Sequence, residues 1–336
     1  MSDNFVKIAL ANGGSIHPLI IPAELTNGTG TFNPSIYNDN GKLYINIRHC
    51  QVTLFHSEKN IFEHEWGPLS YLNPENDITL TTTNFFGELN NDFTMKWVSK
   101  VDFSKLDSQP IWEFRGLEDC RVFRWDGKLY ISGVRRDTTT NGQGRMELCE
   151  IDISNTSSVK EMTRFRIPCP GVGTDVFAGT YCEKNWMPIT DMPYHYLKWC
   201  NPVEVVKVFP DTKTCETAFL GKNSVFNKDQ RGGSQVIPVG NNGDRFCVTH
   251  EVDYYMGYRN ENGKKNATYR HKFVLFDKDW NIPRYSQSFS FMNAEIEFCT
   301  GICEYGDDYL ITFGVTDNAA YVLRCPKHVV ENIFYG

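Results

Sequence analysis

The sequence predicts an all-β protein, and within that class a five-bladed β-propeller. Three observations carry the prediction. Helical periodicity is scarce along the chain. Short runs rich in Val, Ile, Phe, Tyr and Thr, bounded by Asn, Asp and Gly, recur from about residue 30 to the end, which is the pattern of strands joined by tight turns. One unit also repeats: a turn signal, then an apolar-alternating strand that ends on a polar or charged residue.

Asn40-Gly41 precedes the strand Lys42–Arg48, and Asp126-Gly127 precedes Lys128–Arg135, the closest pair of copies. Looser copies are Thr180–Trp186, Arg245–His250 after Asn242-Gly243, and Asp308–Gly314 after Gly306. Five units in 336 residues give about 67 residues each, room for a four-stranded blade and an ornamented loop. A pair of β-sandwiches is the competing architecture. No Gly- or Pro-rich linker divides the chain, so residues 1–336 are read as one propeller domain, with residues 136–144 as a hairpin tip. The first 20 or so residues form either an N-terminal arm or a strand that closes the ring, since an unpaired sheet edge is a liability.

Composition narrows the function. Hydrophobic residues make up 40% and aromatic residues 14%, ample for a core, which excludes intrinsic disorder. With 34 basic and 41 acidic residues the net charge is -7, and no basic run is present, so nucleic acid is not an expected partner. No stretch approaches 18 apolar residues and no leader pattern opens the chain, so no membrane is expected and a cytoplasmic protein is. The 11 cysteines are odd in number and irregularly spaced, as reduced thiols would be. Cys247 and His250 form a lone C-x-x-H, and Cys299 and Cys303 stand apart, so no metal quartet is visible. Nucleophile-elbow, P-loop and dinucleotide fingerprints are absent, and no cofactor is expected. The oligomeric state is open.

If the repeats are blades, the ends of their strands gather at one mouth of a central channel. Arg48, Arg135, Lys184, His250 and Asp317 all lie at or just beyond such ends, and four of them can be cationic. A cluster of this kind suits an anion such as phosphate; taken singly, each is equally readable as a solvated turn charge. The densest acidic signal is Gly116-Leu117-Glu118-Asp119-Cys120-Arg121. A carboxylate beside both a carboxylate and a guanidinium can be tuned as a general acid. Strand alternation puts Glu118 and Asp119 on opposite faces, with Arg121 on the side of Asp119. Arg231-Gly232-Gly233 reads either as a turn between blades or as a backbone cradle for a donor phosphate. Trp112, Trp186, Tyr254, Tyr255 and Tyr269 are candidates for sugar stacking or for core packing, and Arg270 and His271 are open between donor contact and buried strand.

The Glu118-Asp119-Cys120-Arg121 motif, with the hairpin through Tyr130 and Arg135, resembles the Glu-Asp-(Pro or Ala)-Arg signature of glycoside hydrolase family 130. That family comprises five-bladed propeller enzymes acting on β-mannosides, most of them phosphorylases. The order of polar landmarks is similar over most of the chain. Asn33-Pro34 followed by Arg48 resembles the first-blade sugar and phosphate contacts. Arg166, eighteen residues before Lys184, is similar in spacing to a basic pair that holds phosphate, and His250 matches a phosphate-contacting histidine. Glu297 and Asp317 resemble acidic residues that bind sugar hydroxyls. Cys120 departs from the family's Pro or Ala, and Arg231-Gly232-Gly233-Ser234-Gln235 has no evident counterpart. The β-1,2-mannosyltransferases of glycosyltransferase family 108 share the fold and the acid motif and can use an activated mannose donor.

The resemblance implies inversion at the anomeric carbon. Asp119 would pass a proton toward the glycosidic oxygen through a substrate hydroxyl, while phosphate held by Arg48, Arg166, Lys184 and His250 attacks the opposite face; Arg231, from its own Arg-Gly-Gly segment and not from the resemblance, is a further candidate phosphate contact. Asn33, Arg48, Glu118, Arg121, Glu297 and Asp317 would hold the sugar. The expected partners are an oligosaccharide and phosphate or an activated sugar donor. A mannosyltransferase and a non-catalytic carbohydrate-binding propeller are the alternatives, the latter with Glu118-Asp119 bracing a turn against Arg121.

Overall fold

A computed structural model describes residues 4–28, 30–50, 52–53, 61–64, 67–71, 80–111, 114–138, 142–168, 183–259, 265–294 and 296–335. Most of its strands form five antiparallel blades that start at the centre and run outward; Val52–Thr53, Gly67–Tyr71 and Ile61–His64 make a separate three-stranded sheet, and Phe114–Arg115 pairs parallel to Leu80–Leu89. The first blade comprises Thr31–Asp39, Lys42–Cys50, Leu80–Leu89 and Met95–Lys100, and the second Leu117–Trp125, Lys128–Arg135, Arg145–Asp152 and Lys160–Arg166. The third has a two-residue inner strand, Met187–Pro188, followed by His195–Cys200, Val203–Phe209 and Thr214–Leu220. The fourth begins with Arg231–Gly232 and Ile237–Val239, both paired to Asp244–Arg259, and continues through Lys265–Phe276 and Arg284–Ser286 to an edge strand, Phe334–Tyr335. The fifth runs Glu297–Tyr305, Asp308–Val315, Ala319–Pro326 and ends on Ser15–Pro18 from the start of the chain. The chain's first strand thus covers the outer edge of its last blade, where an open ladder would otherwise face solvent.

The core is divided in a way that fixes the blade number. Five hydrophobic clusters lie between successive blades, one of them joining the fifth to the first: Ile36, Ile45 and Phe85 meet Leu310 and Val322. Five interfaces for five blades is a closed ring. The helix Phe5–Ala11, capped by the Asn4 side chain accepting from the Lys7 amide at 3.0 Å, drives Phe5, Val6 and Ala9 into the seam between blades four and five. On the axis Gln235 is fully buried. Its amide nitrogen donates to the Ser35 hydroxyl, the Ile36 carbonyl and the Val122 carbonyl, and its oxygen accepts from the Ile302 amide. One side chain thereby ties four blades together with its hydrogen-bonding capacity used.

The repeated units recognised in the sequence are the second strands of the blades, and the Asn-Gly and Asp-Gly signals are the hairpins that return from the inner strands. The third copy is misplaced. Thr180–Cys182 lie outside the described residues, Glu183–Trp186 are not in a strand, and the equivalent strand is His195–Cys200. Among the described residues no helix is long and apolar enough to cross a membrane, and nine cysteines are free thiols.

Candidate functional site

The inner strands begin at the same end of the axis, and at that end three of them carry a residue with left-handed backbone: Asn33 (φ 46°), Asp119 (φ 52°) and Asn185 (φ 63°). Asn and Asp enter this region at the lowest cost of the residues that have a side chain. At Asn33 and Asp119 the conformation coincides with a β-bulge, between Phe32 and Ser35 and between Glu118 and Arg121. A bulge breaks the two-residue alternation and re-aims a side chain, which is why the strand-face argument fails here. Glu118 and Asp119 are not split between opposite faces: Arg48 reaches both, at 2.8 Å from Asp119 Oδ1 and 3.5 Å from Glu118 Oε2.

Asp119 is therefore held by its neighbours across two blades. Asn33 Nδ2 and Arg48 Nη1 both donate to Oδ1 at 2.8 Å, and Oδ2 has no donor among the described residues. Burial by itself would push this carboxyl up, but Arg48, Asn33 and Arg121 outweigh it and hold it below the ordinary carboxylate value, so it is ionised at neutral pH. Arg48 is fixed in turn: its Nε donates to Thr82 at 3.2 Å, and its guanidinium lies 5.0 Å from the Phe32 ring centre. Burial opposes its charge, and Asp119, Glu118 and Asp317 preserve it. Asp317 occupies the left-handed turn after Asp308–Val315 (φ 49°), near enough to act on Arg48. Glu118 also lies 3.8 Å from Arg136.

Arg121 does not meet the Asp119 carboxylate. It donates to the Asp119 backbone carbonyl at 2.7 Å and to the Gly233 carbonyl at 2.8 Å, crosses toward Asn185, and lies against the Phe298 ring. Burial brings its guanidinium down to about 10, still protonated at neutral pH. It links blades two, three, four and five at the floor of the site. Gly232 and Gly233 belong to this floor. Arg231–Gly232 is the opening strand of the fourth blade and not a turn, and the two glycines present carbonyls to Arg121 and His250. A Cβ on Gly232 would lie 1.7 Å from the Asn185 carbonyl oxygen. Gly232→Ala is accordingly expected to displace Asn185 and Arg121 together, with a lowered melting temperature and loss of ligand binding by calorimetry, more than an ordinary buried glycine substitution would cause.

On the far side of Arg121 stands a cationic pole. His250 is directly opposite Arg231 in the strand register, and Lys184, Arg231 and Arg121 all act on its ring. Burial first, then His271 and those three cations, keeps it neutral, well below the usual histidine range. Tyr269 stacks on it at 5.7 Å between ring centres and Phe298 meets it edge-on at 4.8 Å. His271, the cross-strand partner of His250, is fully buried among Phe289 and Phe291, and burial brings it to about 3.

The structure thus gathers Asn33, Arg48, Glu118, Asp119 and Asp317 on one side and Arg121, Lys184, Arg231 and His250 on the other. It does not gather Arg166 or Glu297. Arg166 stands on the outermost strand of its blade, bonded to Thr138 and 3.5 Å from buried Glu147, whose 2.9 Å pair with Arg135 also removes that arginine from the mouth. Glu297 accepts from the backbone amides of Phe291, Met292 and Ala294, so both oxygens brace a loop and are spent before any sugar arrives. Trp186 is core, donating to Glu183 at 2.8 Å, and Trp112 and the side chains of Tyr254 and Tyr255 lie outside the described residues. Asn185 and Gln235 are not among the predicted site residues; Asn185 lies just before the two-residue inner strand Met187–Pro188, where no alternation marks it.

No protein-family model matches the chain, and neither does any curated protein. Solved structures do. The β-1,2-mannobiose phosphorylase of Listeria innocua, in complex with β-1,2-mannobiose, superposes with a TM-score of 0.54 at 12% identity over 91% of this chain and 92% of its own. MPT-4, a mannose phosphorylase of Leishmania mexicana in complex with phosphate ion, gives 0.54 at 12% over 99% and 95%. The chain has their fold. A glycosyl hydrolase of Bacteroides ovatus, at 0.56 and 13% identity over 89% and 85%, shares it too. At these identities the likeness concerns the five-bladed architecture, and what the chain does must be argued from its own residues.

Proposed function

We propose that the protein is an inverting carbohydrate-active enzyme that moves a mannosyl group between an oligosaccharide and phosphate. The observation that carries the proposal is the pairing of Asp119, an ionised carboxylate whose Oδ2 has no donor among the described residues, with Arg121, Lys184 and Arg231 around His250. A carboxylate for the proton and a cationic pole for an anion are the two parts that transfer to or from phosphate needs. Support also comes from solved structures of the same fold, among them a β-1,2-mannobiose phosphorylase and a mannose phosphorylase.

The ionisation of Asp119 sets its starting role. In the synthetic direction the bond between the anomeric carbon and phosphate oxygen breaks while an acceptor hydroxyl attacks the opposite face. The hydroxyl proton goes to Asp119, directly or through a substrate hydroxyl, and returns to the departing phosphate. In phosphorolysis hydrogen phosphate supplies the proton that ends on the leaving sugar. The carboxylate is thus a base in the ligand-free site and becomes an acid only after collecting that proton. Arg48, which holds the charge on Asp119, also opposes premature protonation.

The ionised state favours a second reading on the same atoms, a mannosyltransferase that takes an activated donor. One product assay distinguishes them: β-mannobiose with and without inorganic phosphate, and a mannose acceptor with mannose 1-phosphate or a mannose sugar nucleotide. Phosphate-dependent breakdown is the expected result. Turnover from the sugar nucleotide alone would establish the transferase, and sugar binding with no product under any condition would leave a binding propeller. Lys184→Met is expected to raise KM for phosphate about tenfold or more with KM for the disaccharide little changed, since a point charge at the anion pole contributes to one substrate only.

A further inference from the structure

Geometry gives the two nitrogens of His250 different roles. Nδ1 lies 3.0 Å from the Gly232 carbonyl oxygen, and a carbonyl can only accept, so Nδ1 carries the hydrogen. In the neutral ring Nε2 is then a bare acceptor. It has no hydrogen-bond partner among the described residues, on a residue only 2% exposed. Turning the ring over about χ2 would keep its plane between Tyr269 and Phe298 but would set Cδ2 in place of Nδ1 against the Gly232 carbonyl and lose that hydrogen bond. The site therefore contains cations that attract an anion and, among them, one acceptor that such an anion must satisfy.

The charges facing the ring keep it in this form. Arg231 on its own blade, Lys184 from the third blade and Arg121 from the second are positive, and buried His271 stands opposite it on the neighbouring strand. The nearby carboxylates are committed elsewhere. Glu251 accepts from Gln230 and Ser288, Glu297 accepts from its loop amides, and Asp119 is paired with Arg48. None of these three carboxylates is left to draw a second proton onto the imidazole.

We propose that His250 selects the anion by its protonation, accepting the P–OH hydrogen bond of hydrogen phosphate at Nε2, so that the pocket takes phosphate and arsenate and discriminates against sulfate. This rests on the phosphate-dependent reading above and adds which form of the anion is taken. Sulfate has the same shape and charge but no proton near neutral pH, and one of its oxygens would face an unprotonated nitrogen, two acceptors with no hydrogen between them. A buried acceptor left unsatisfied in this way lowers affinity on the order of 10- to 100-fold. Hydrogen phosphate also carries the proton that phosphorolysis must deliver to the leaving sugar, so the selected form is the one whose proton count matches the reaction.

The test is titration calorimetry of the full chain with phosphate, arsenate and sulfate at about pH 8.5, where inorganic phosphate is almost wholly hydrogen phosphate, in two buffers of different ionisation enthalpy. Phosphate and arsenate are expected to bind without net proton uptake, and sulfate at least tenfold more weakly. Equal affinity for sulfate, or uptake of close to one proton per phosphate bound, would overturn the assignment by showing an imidazolium donor. His250→Gln, whose amide can turn either its NH2 or its oxygen to the ligand, is expected to bring the phosphate-to-sulfate ratio toward one; a packing role alone would weaken both anions equally. If neither anion binds, the phosphate-dependent reading itself fails, whereas equal binding of both removes only the selection.

Discussion

Asp119→Asn is expected to remove transfer almost entirely while the chain remains folded. General acid–base assistance contributes roughly 10²–10⁴-fold to a rate, and an amide can neither take the acceptor's proton nor return it to the departing group. The fold should tolerate the change for reasons visible at the site. Asn adopts the left-handed backbone that residue 119 requires, φ 52°, as readily as Asp does. Its side-chain oxygen can keep the 2.8 Å hydrogen bonds from Asn33 and Arg48, and Glu118 and Asp317 still stand near Arg48 to balance its charge. The measurement is initial rate in the product assay, paired with circular dichroism and phosphate titration. Loss of turnover by about a thousandfold with phosphate affinity within a few-fold of the parent supports the proton role. A variant with more than a tenth of the parent rate would remove Asp119 from the chemistry.

Much of the architecture was legible because a propeller repeats its signals. Each turn of Asn-Gly or Asp-Gly type followed by an alternating strand marks one hairpin, and four of the five predicted copies fall on a second strand: Lys42–Cys50, Lys128–Arg135, Asp244–Arg259 and Asp308–Val315. The third blade was lost for a physical reason. Its inner strand is two residues long and its hairpin runs through Asp191–Tyr194, with no Asn-Gly, so the sequence offers neither alternation nor turn signal there. Strand ends were sound guides to the mouth because an antiparallel hairpin brings the end of the second strand back to the start of the first. Arg48 sits opposite Phe32 and His250 opposite Arg231 by this rule. Arg135 obeys it too, opposite Leu117, yet Glu147 draws it away, and no local pattern announces a partner on the next strand.

The misplaced residues fail in a consistent manner. Arg166 and Glu297 have the right charge at the right distance along the chain, but each is consumed by a local structural demand, a buried carboxylate in one case and three loop amides in the other. Spacing in sequence reports which residues could converge and is silent on which have their hydrogen bonds already filled. The left-handed positions are the reverse case. Asn33 and Asp119 look ordinary in an alternating strand, and only the bulges reveal that the fold accepts left-handed backbone at the same place in the first two blades, while Asn185 adopts it just before the inner strand of the third.

Arg48→Met is the substitution with the largest expected cost to stability, and its pH dependence reports how the site is charged. Arg48 is largely buried and bonds Asp119 and Thr82 directly, so methionine fills much of its volume but leaves Asp119 with burial unopposed by its nearest cation. Removing one partner of a buried pair costs about 3–5 kcal/mol, and unfolding by urea at neutral pH should show a loss in that range. In the parent the folded-state value of Asp119 is depressed, so its contribution is present above the unfolded carboxylate value and disappears as the pH falls through the folded one. In the variant only Asn33 and Arg121 remain to oppose burial, and the folded-state value is expected to rise above the unfolded one. The penalty is then greatest at neutral pH and is relieved as acid protonates the buried carboxyl. The deficit between variant and parent should consequently shrink on going from about pH 7 to about pH 4.5. An undiminished deficit at the lower pH would mean that lost packing, and not the charge on Asp119, accounts for the effect, and the electrostatic account of the site would have to be abandoned.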